Sequence, residues 1–303
     1  MNTKWDKKKF TKYLIWTFSV AWILQVIASI FARQGNQIAF SGILSVVMFA
    51  PLFGTFMAKI PMGSIGFKPK FKGNIRYILA SWFLPIVFSV LGAVIYFVVF
   101  PSRLDFTGKY LIVSAGEEVI EQMAAQGISV SMYYVITIVS ALVYAPWMNM
   151  FFALGEEVGW RGAMNPMLKE RFGKSKGRII GGIIWGAWHW PVMILAGYEY
   201  GLEYWGAPVL GMVLFCIFAI VAGTLLDVLY EKTNCIWMPS LAHGAINGFA
   251  AVPLLFLNPD YLDKLTVGPA PIGIIGMLPM LIWAVWMLIK DNSEGKGIHG
   301  GLN

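Results

Sequence analysis

Long apolar segments recur along this chain and are separated by short polar connections. A helix that crosses a bilayer needs about 20 consecutive apolar residues. Eight segments meet that requirement, and they lie at roughly 13–32, 38–58, 77–100, 132–154, 179–197, 208–230, 236–257 and 271–289. The pattern predicts an all-α, polytopic transmembrane helical bundle that forms a single domain over residues 1–303.

Composition strengthens the membrane prediction. The 303 residues are 58% hydrophobic and only 13% charged, whereas a soluble domain carries about 25% charged residues. The apolar run at 13–31 is long for a signal peptide and no small-residue cleavage site follows it, so we interpret it as a retained first helix. A multi-pass integral membrane protein in contact with the lipid bilayer is therefore expected.

The distribution of positive charge predicts an orientation. With the N-terminus inside and eight spans, only four of the 23 lysines and arginines fall outside, namely Arg33, Arg103, Lys109 and Lys264. This asymmetry follows the positive-inside rule and places both termini in the cytoplasm. The formal net charge of +7 is explained in this way, and the absence of a basic patch with interleaved aromatics argues against nucleic acid as a partner.

A few polar residues interrupt the apolar segments. An ionisable group at membrane depth is costly, and its default interpretation is a functional site. Asp227 lies near the cytoplasmic end of the sixth span, where an interhelical or helix-end hydrogen bond is expected. The others are Glu156, Glu157, Arg161, His189, His243 and Asn247, the last expected as a buried amide.

These residues are predicted to meet at one depth. Lys169, taken as the first cytoplasmic cation after the fourth span, lies thirteen residues after Glu156, which corresponds to about 20 Å of helix. Arg178 precedes His189 by eleven residues, and Lys232 precedes His243 by the same number, each about 16 Å of helix. Three helices thus bring polar groups to similar levels from the same side.

Spacing within each helix adds two pairs. Glu157 and Arg161 are four residues apart on one helix face, where a structural ion pair is expected, and Glu156 points about 100° away from Glu157. His243 and Asn247 also share a face, suited to interhelical hydrogen bonds or to a site.

The residue types suit hydrolysis of an acyl compound. A carboxylate kept from bulk water is suited to general-base catalysis. A histidine beside it can share the attacking water, and a second histidine with an amide can donate to a developing oxyanion. A peptide bond is the simplest substrate of such a set.

The same residues form three motifs. Glu156 to Arg161 match EExxxR, His189 ends an FxxxH motif whose first position is Trp185, and His243 with Asn247 match HxxxN. The segment 153–248 therefore resembles the CAAX protease and bacteriocin-processing (CPBP, or Abi) family, which includes the Ras-converting CAAX endopeptidases. The resemblance implies a helical membrane bundle with a cavity open toward the cytosol and the membrane.

The resemblance also implies roles. It makes Glu156 and His189 the pair that activates water, and His243 and Asn247 the oxyanion donors. Glu157 would support the water or a histidine, and Arg161 would hold the carboxylate pair. Trp185 keeps an aromatic side chain where the family pattern has phenylalanine. The substrate would be a peptide or membrane-associated protein cut near the cytoplasmic face, in the plasma membrane of a bacterium.

Several alternatives stay open. No cofactor is expected, because the water-activating pair needs no metal and HExxH is absent; zinc held by Glu156, His189 and His243 is the alternative. A non-catalytic membrane partner, such as a bacteriocin self-immunity factor or a sensor-kinase regulator, is the second functional hypothesis. A transporter is the third, since buried acids and histidines also mark proton relays. Gly116–Val119 repeats the tetrapeptide Gly155–Val158 but lacks the arginine, and we interpret it as a solvated face.

Overall fold

The computed structural model describes residues 4–299 and the side chains of residues 4–293. Over this part of the chain every regular element is helical, and the only bridge between extended residues joins Leu104 and Leu257. The all-α prediction is confirmed. The α-helices are α1 (Lys7–Arg33), α2 (Gln37–Val47), α3 (Ala50–Met57), α4 (Ile75–Val99), α5 (Lys109–Ala115), α6 (Glu117–Ala125), α7 (Val130–Val143), α8 (Ala145–Glu157), α9 (Asn165–Phe172), α10 (Lys174–Trp188), α11 (Trp190–Ala196), α12 (Val209–Thr233), α13 (Trp237–Phe249) and α14 (Ile274–His299).

Three of these helices begin at a side-chain cap. Asp6 accepts a hydrogen bond from the backbone N–H of Lys9, and Asn36 accepts one from that of Ala39. The Ser129 hydroxyl caps α7 in the same way. Such caps satisfy backbone donors that have no partner in the first turn of a helix.

The span count differs from the sequence-based prediction. Among the described residues, six helical segments are long and apolar enough to cross a membrane: Lys7–Arg33, Gln37–Met57, Ile75–Val99, Lys174–Ala196, Val209–Thr233 and Ile274–Ser293. A seventh is obtained if α6 and α7, which meet at a bend of 96°, count as one span. The prediction of eight is therefore not confirmed. Residues 1–3 and 300–303 lie outside the described part, and the cytoplasmic placement of both termini stays a prediction.

Proline explains the interruption of the two predicted spans that are not among these six segments. The segment 132–154 is divided between α7 and α8, and Pro146 lies in the first turn of α8. The segment 236–257 consists of α13 and a short 3-10 helix, Val252–Phe256, with Pro253 in its first turn. Proline lacks a backbone donor and fits best in the first turn of a helix, so both residues favour the start of a new helix at these positions.

The motif-bearing helices pack closely. α8 packs against α13, and α10 against α12. A Cβ atom on Gly244 of α13 would lie 2.3 Å from the Pro146 carbonyl oxygen of α8. A Cβ atom on Gly182 of α10 would lie 2.4 Å from the Ile220 Cα atom of α12. Only glycine permits these backbones to approach so closely, as is common between membrane helices.

A buried network of ion pairs joins α9, α10, α12 and α14. The Asp227 carboxylate accepts from Lys169 Nζ at 2.8 Å and from Arg178 Nε at 2.7 Å. Arg178 also pairs with Glu231 and with Asp291. The interhelical role predicted for Asp227 is confirmed. Lys169, predicted as a cytoplasmic cation, belongs to this buried network. Its side chain is only 11% exposed because two acidic residues of α12 surround it.

The acidic segment after α4 has the predicted character. Glu117, Glu118 and Glu121 lie on α6 with exposed side chains. The repeated tetrapeptide at 116–119 is therefore a solvated face, as predicted. The exposed copy also supplies a control for experiments on the buried copy at 155–158, because the two copies share the tetrapeptide and differ in burial.

Candidate active site

The two adjacent glutamates end α8 and point to different partners. Glu156 is 3% exposed and Glu157 is fully buried. A π-helix, Val158–Met164, follows them directly. π-Helical turns occur frequently at functional sites. The four-residue spacing predicts an α-helix here, and the structure has a π-helix instead, but the two carboxylates still contact different partners.

Glu156 is held by two indole groups. The Nε1–H groups of Trp160 and Trp185 donate to its Oε2 atom at 3.0 and 2.8 Å. The other carboxylate oxygen, Oε1, accepts no hydrogen bond from the described residues. Because Glu156 lines a cavity, Oε1 is the oxygen available to a water or a substrate. Tryptophan at position 185 thus does more than keep an aromatic ring, since phenylalanine has no group to donate.

Glu157 connects the EExxxR motif to the HxxxN motif. Its Oε1 atom accepts from Arg161 Nη1 at 2.9 Å and from His243 Nδ1 at 2.8 Å. The predicted Glu157–Arg161 ion pair is confirmed. The guanidinium group of Arg161 also lies 4.5 Å from the centre of the Trp185 ring, a cation–π distance. Arg161 makes no bond to Glu156, so it holds one carboxylate of the pair and not both.

His189 lies at a break between two helices. It follows the last residue of α10 and precedes the first of α11, and Pro191 disfavours helical continuity there. Its Nδ1 atom lies 3.0 Å from the Trp185 carbonyl oxygen. Since a carbonyl only accepts, Nδ1 carries the proton. In the neutral ring Nε2 is then an acceptor, as a water-orienting base requires.

Gln25 of α1 bridges this break, and its role was not predicted from the sequence. Its amide donates to the Trp188 carbonyl at 2.8 Å and accepts from the Val192 backbone N–H at 3.2 Å. The side chain is 1% exposed. Both backbone groups would otherwise lack a helical partner, because the break interrupts the ladder on either side of His189. Gln25 was detectable as a lone amide within the apolar sequence of the first span.

His243 and Asn247 lie one turn apart on α13. His243 is 4% exposed, and its ring packs edge-on against Trp185 with the ring centres 5.2 Å apart. Asn247 has an exposed side chain, so its prediction as a buried amide is wrong. It lies at the surface of the cavity that Glu156 also lines.

A cavity of about 270 Å³ joins the residues assigned to chemistry. Glu156, His189, His243 and Asn247 all line it, whereas Glu157 and Arg161 lie behind its wall. The three motifs are thus brought to one place. The six predicted residues fall into a group of four at the cavity and an ion pair that supports it.

The cavity extends toward one end of the bundle. Its further lining comes from one side of α2 and Met48 after it, the loop after α11 and the segment before α14. In the orientation predicted from the lysines and arginines, this is the outer end. The cytosolic opening implied by the family resemblance and the positive-inside orientation therefore do not agree.

Glu156, His189 and His243 are the residues that the zinc alternative requires as ligands. Among the described residues, no three His, Cys, Asp or Glu side chains are grouped so that they could hold a metal ion. This arrangement does not fit the zinc alternative.

The fold and the site define a class: a helical, multi-pass membrane protein with a buried glutamate–histidine centre. Residues 137–249 match a family model described as type II CAAX prenyl endopeptidase Rce1-like, so this segment is an Rce1-like domain. The matched residues contain all three motifs and α8 to α13. The matched segment is accordingly similar to CAAX-protease-like membrane peptidases in their general class. No curated protein matches the chain.

Proposed function

We propose that this protein is an intramembrane endopeptidase in which Glu156 and His189 activate a water molecule. The observation that carries the proposal is the free Oε1 atom of Glu156, which shares a cavity with an imidazole whose Nε2 atom is an acceptor. Glu156 removes one proton of the water, and His189 accepts a hydrogen bond from the other. The resulting hydroxide attacks the carbonyl carbon, and Glu156 then protonates the leaving amine.

His243 and Asn247 stabilise the oxyanion in this mechanism. His243 Nδ1–H donates to Glu157, so Nε2 can donate to an oxyanion only when the ring carries a second proton. Glu157 would be the counter-ion of that imidazolium, and Arg161 fixes the carboxylate from the other side. The exposed amide of Asn247 adds the second donor at the cavity surface. Donors placed in advance of reaction stabilise developing charge strongly.

The proposed setting is the plasma membrane of a bacterium, with the lipid bilayer on the apolar outer surface. The substrate is proposed to be a peptide or membrane-associated protein, cleaved at membrane depth and predicted to be cut near the cytoplasmic face. Nucleic acid has no proposed role. A lipidated substrate is an analogy with the family and is not part of the proposal.

Cleavage of a fluorogenic peptide library by the detergent-purified protein tests the mechanism. In Glu156→Gln and His189→Ala the rate is expected to fall by at least about 100-fold, the usual contribution of a general acid–base group. Glu117→Gln changes the same tetrapeptide in its exposed copy and should leave the rate unchanged. Wild-type rates in both active-site variants would refute the mechanism.

Independence from metal is proposed for the same site. Dialysis against EDTA or 1,10-phenanthroline should leave the peptidase rate unchanged, because no step requires a Lewis acid. A loss of activity that added zinc restores would instead support Glu156, His189 and His243 as ligands.

A further inference from the structure

Glu199 occupies an unusual backbone conformation beside the candidate site. It lies in the loop between α11 and α12, with φ at 72°. Side chains other than glycine rarely adopt this left-handed region. Such strained positions persist where the surrounding structure imposes them, and they concentrate at functional sites.

Glu199 adds a second carboxylate to the cavity. Glu156 and Glu199 both line it, and no lysine or arginine does. Within the described residues Glu199 takes part in no salt bridge. Arg33, which contacts the nearby end of α11, donates to the Leu195 carbonyl instead. The cavity is therefore an acidic chamber whose outer carboxylate lacks a protein counter-ion.

Tyr198 connects Glu199 to the reacting centre. Its ring stacks nearly parallel to the His189 ring, with the centres 6.1 Å apart and the planes at 9°. Tyr198 also precedes Glu199 directly in the loop, and both residues line the cavity. Burial raises the pKa of the Glu199 carboxyl. A cation beside Glu199 would favour its ionised form.

We propose that Glu199 determines substrate specificity by binding a lysine or arginine side chain of the peptide. The basic residue would lie toward the end of the bundle where α11 ends. The Tyr198 side chain would separate it from His189. Anionic groups would be disfavoured beside Glu199, because two carboxylates line the chamber and neither lysine nor arginine does. This inference rests on the proposed peptidase function.

Matched peptides in which a single lysine or methionine is scanned through the sequence test the proposal. With the wild-type protein, kcat/KM should be higher for lysine at one position, by about tenfold, the value of one charged hydrogen bond. Glu199→Gln should remove this preference, so that kcat/KM becomes equal for the lysine and methionine peptides. Glu199→Lys should favour a glutamate peptide, and Glu203→Gln, an exposed acid in the same loop, should behave as wild type.

Binding of the same peptides to Glu156→Gln separates the two proposals. Cleavage without any Glu199-dependent preference would overturn the specificity role and leave the peptidase function intact. Absence of cleavage, with tighter Glu199-dependent binding of the lysine peptide, would refute the peptidase function and support the cation site. Absence of both cleavage and binding would overturn both. Thermal unfolding of each variant controls for loss of the fold.

Discussion

At the scale of single residues, the site depends on a few hydrogen bonds that reach between helices. Trp185 is the clearest case, because one side chain serves two partners. Its indole N–H donates to Glu156, and its ring lies under the Arg161 guanidinium. It therefore orients the candidate base directly and supports the ion pair behind it. The family pattern has phenylalanine here, which could supply only the second contact.

Trp185→Phe should lower kcat by about tenfold and leave KM little changed. The replacement removes a hydrogen bond to a charged group, worth about 1.5–3 kcal/mol, while keeping the ring beneath Arg161. Steady-state kinetics on a cleaved peptide measure the effect.

Trp205→Phe is the matched control for this change, because Trp205 is 86% exposed in the loop before α12. It should retain wild-type kinetics. If Trp185→Phe also retained them, the indole hydrogen bond would have no part in catalysis.

At the scale of elements, the breaks and close contacts of helices place the reactive groups. His189 lies between α10 and α11, and Gln25 of α1 closes the hydrogen bonds on both sides of that break. The first span thus contributes to a site that the motifs assign to later helices.

Gln25→Leu should lower both kcat and thermal stability. Two buried backbone groups lose their partner, at a cost of about 1–3 kcal/mol each, and the His189 imidazole loses its fixed position. Peptidase kinetics and unfolding in detergent give the two readouts. Gln34→Leu, at the exposed end of the same helix, should change neither; a stable and fully active Gln25→Leu protein would contradict the positioning role.

The contact between α8 and α13 gives a second prediction at this scale. In Gly244→Ala the new methyl group would meet the Pro146 carbonyl, so the helices must separate. The neighbouring His243 would move away from Glu157, and activity should fall by tenfold or more. Overpacking of this kind costs about 1–3 kcal/mol.

Gly42→Ala is the matched change in a helix, since a Cβ atom there would meet nothing within 4 Å. Its activity and melting temperature should equal or exceed those of the wild type. Equal activity in Gly244→Ala would show that the helix spacing is not critical.

At the scale of the whole molecule, many large apolar side chains face outward, while one cluster of charged side chains is buried. Ile23, Val98 and Ile282 are 62%, 74% and 68% exposed, as expected for a surface in contact with lipid. The ion pairs around Asp227 lie inside, where they join four helices that carry no catalytic group on those faces.

Asp227→Asn should destabilise the fold rather than the chemistry. Removal of the carboxylate leaves Lys169 and Arg178 with less compensation in a buried site, at a cost of about 3–5 kcal/mol. The melting temperature should fall, and activity measured well below it should stay close to wild type. Asp260→Asn, an exposed acid, should have no effect; an unchanged melting temperature in Asp227→Asn would contradict a stabilising role.

The sequence by itself determined the class of protein and most residues of the candidate site. Apolar length and charge deficit predict membrane helices, since an unpaired polar backbone is excluded from lipid. Burial of an ionisable side chain in a membrane is also costly, and this cost singles out Glu156, His189 and His243. The depth comparison worked because Lys169 and Arg178 lie at one level, as their shared partner Asp227 demonstrates. The Glu157–Arg161 pair was predictable because four-residue spacing is a local property of a helix.

The tertiary structure alone decided which groups meet across helices. The rotation and separation of helices come from packing at glycines such as Gly244, and no spacing along the chain encodes them. The bonds of Glu156 to Trp185 and of Gln25 to the break at His189 therefore lay beyond sequence reasoning. Sequence patterns also did not predict the exposure of Asn247. The same holds for the placement of Glu199, whose own backbone is left-handed in an irregular loop. Local patterns identify the ionisable residues whose burial costs free energy, but only the packing of helices decides which of them contact each other.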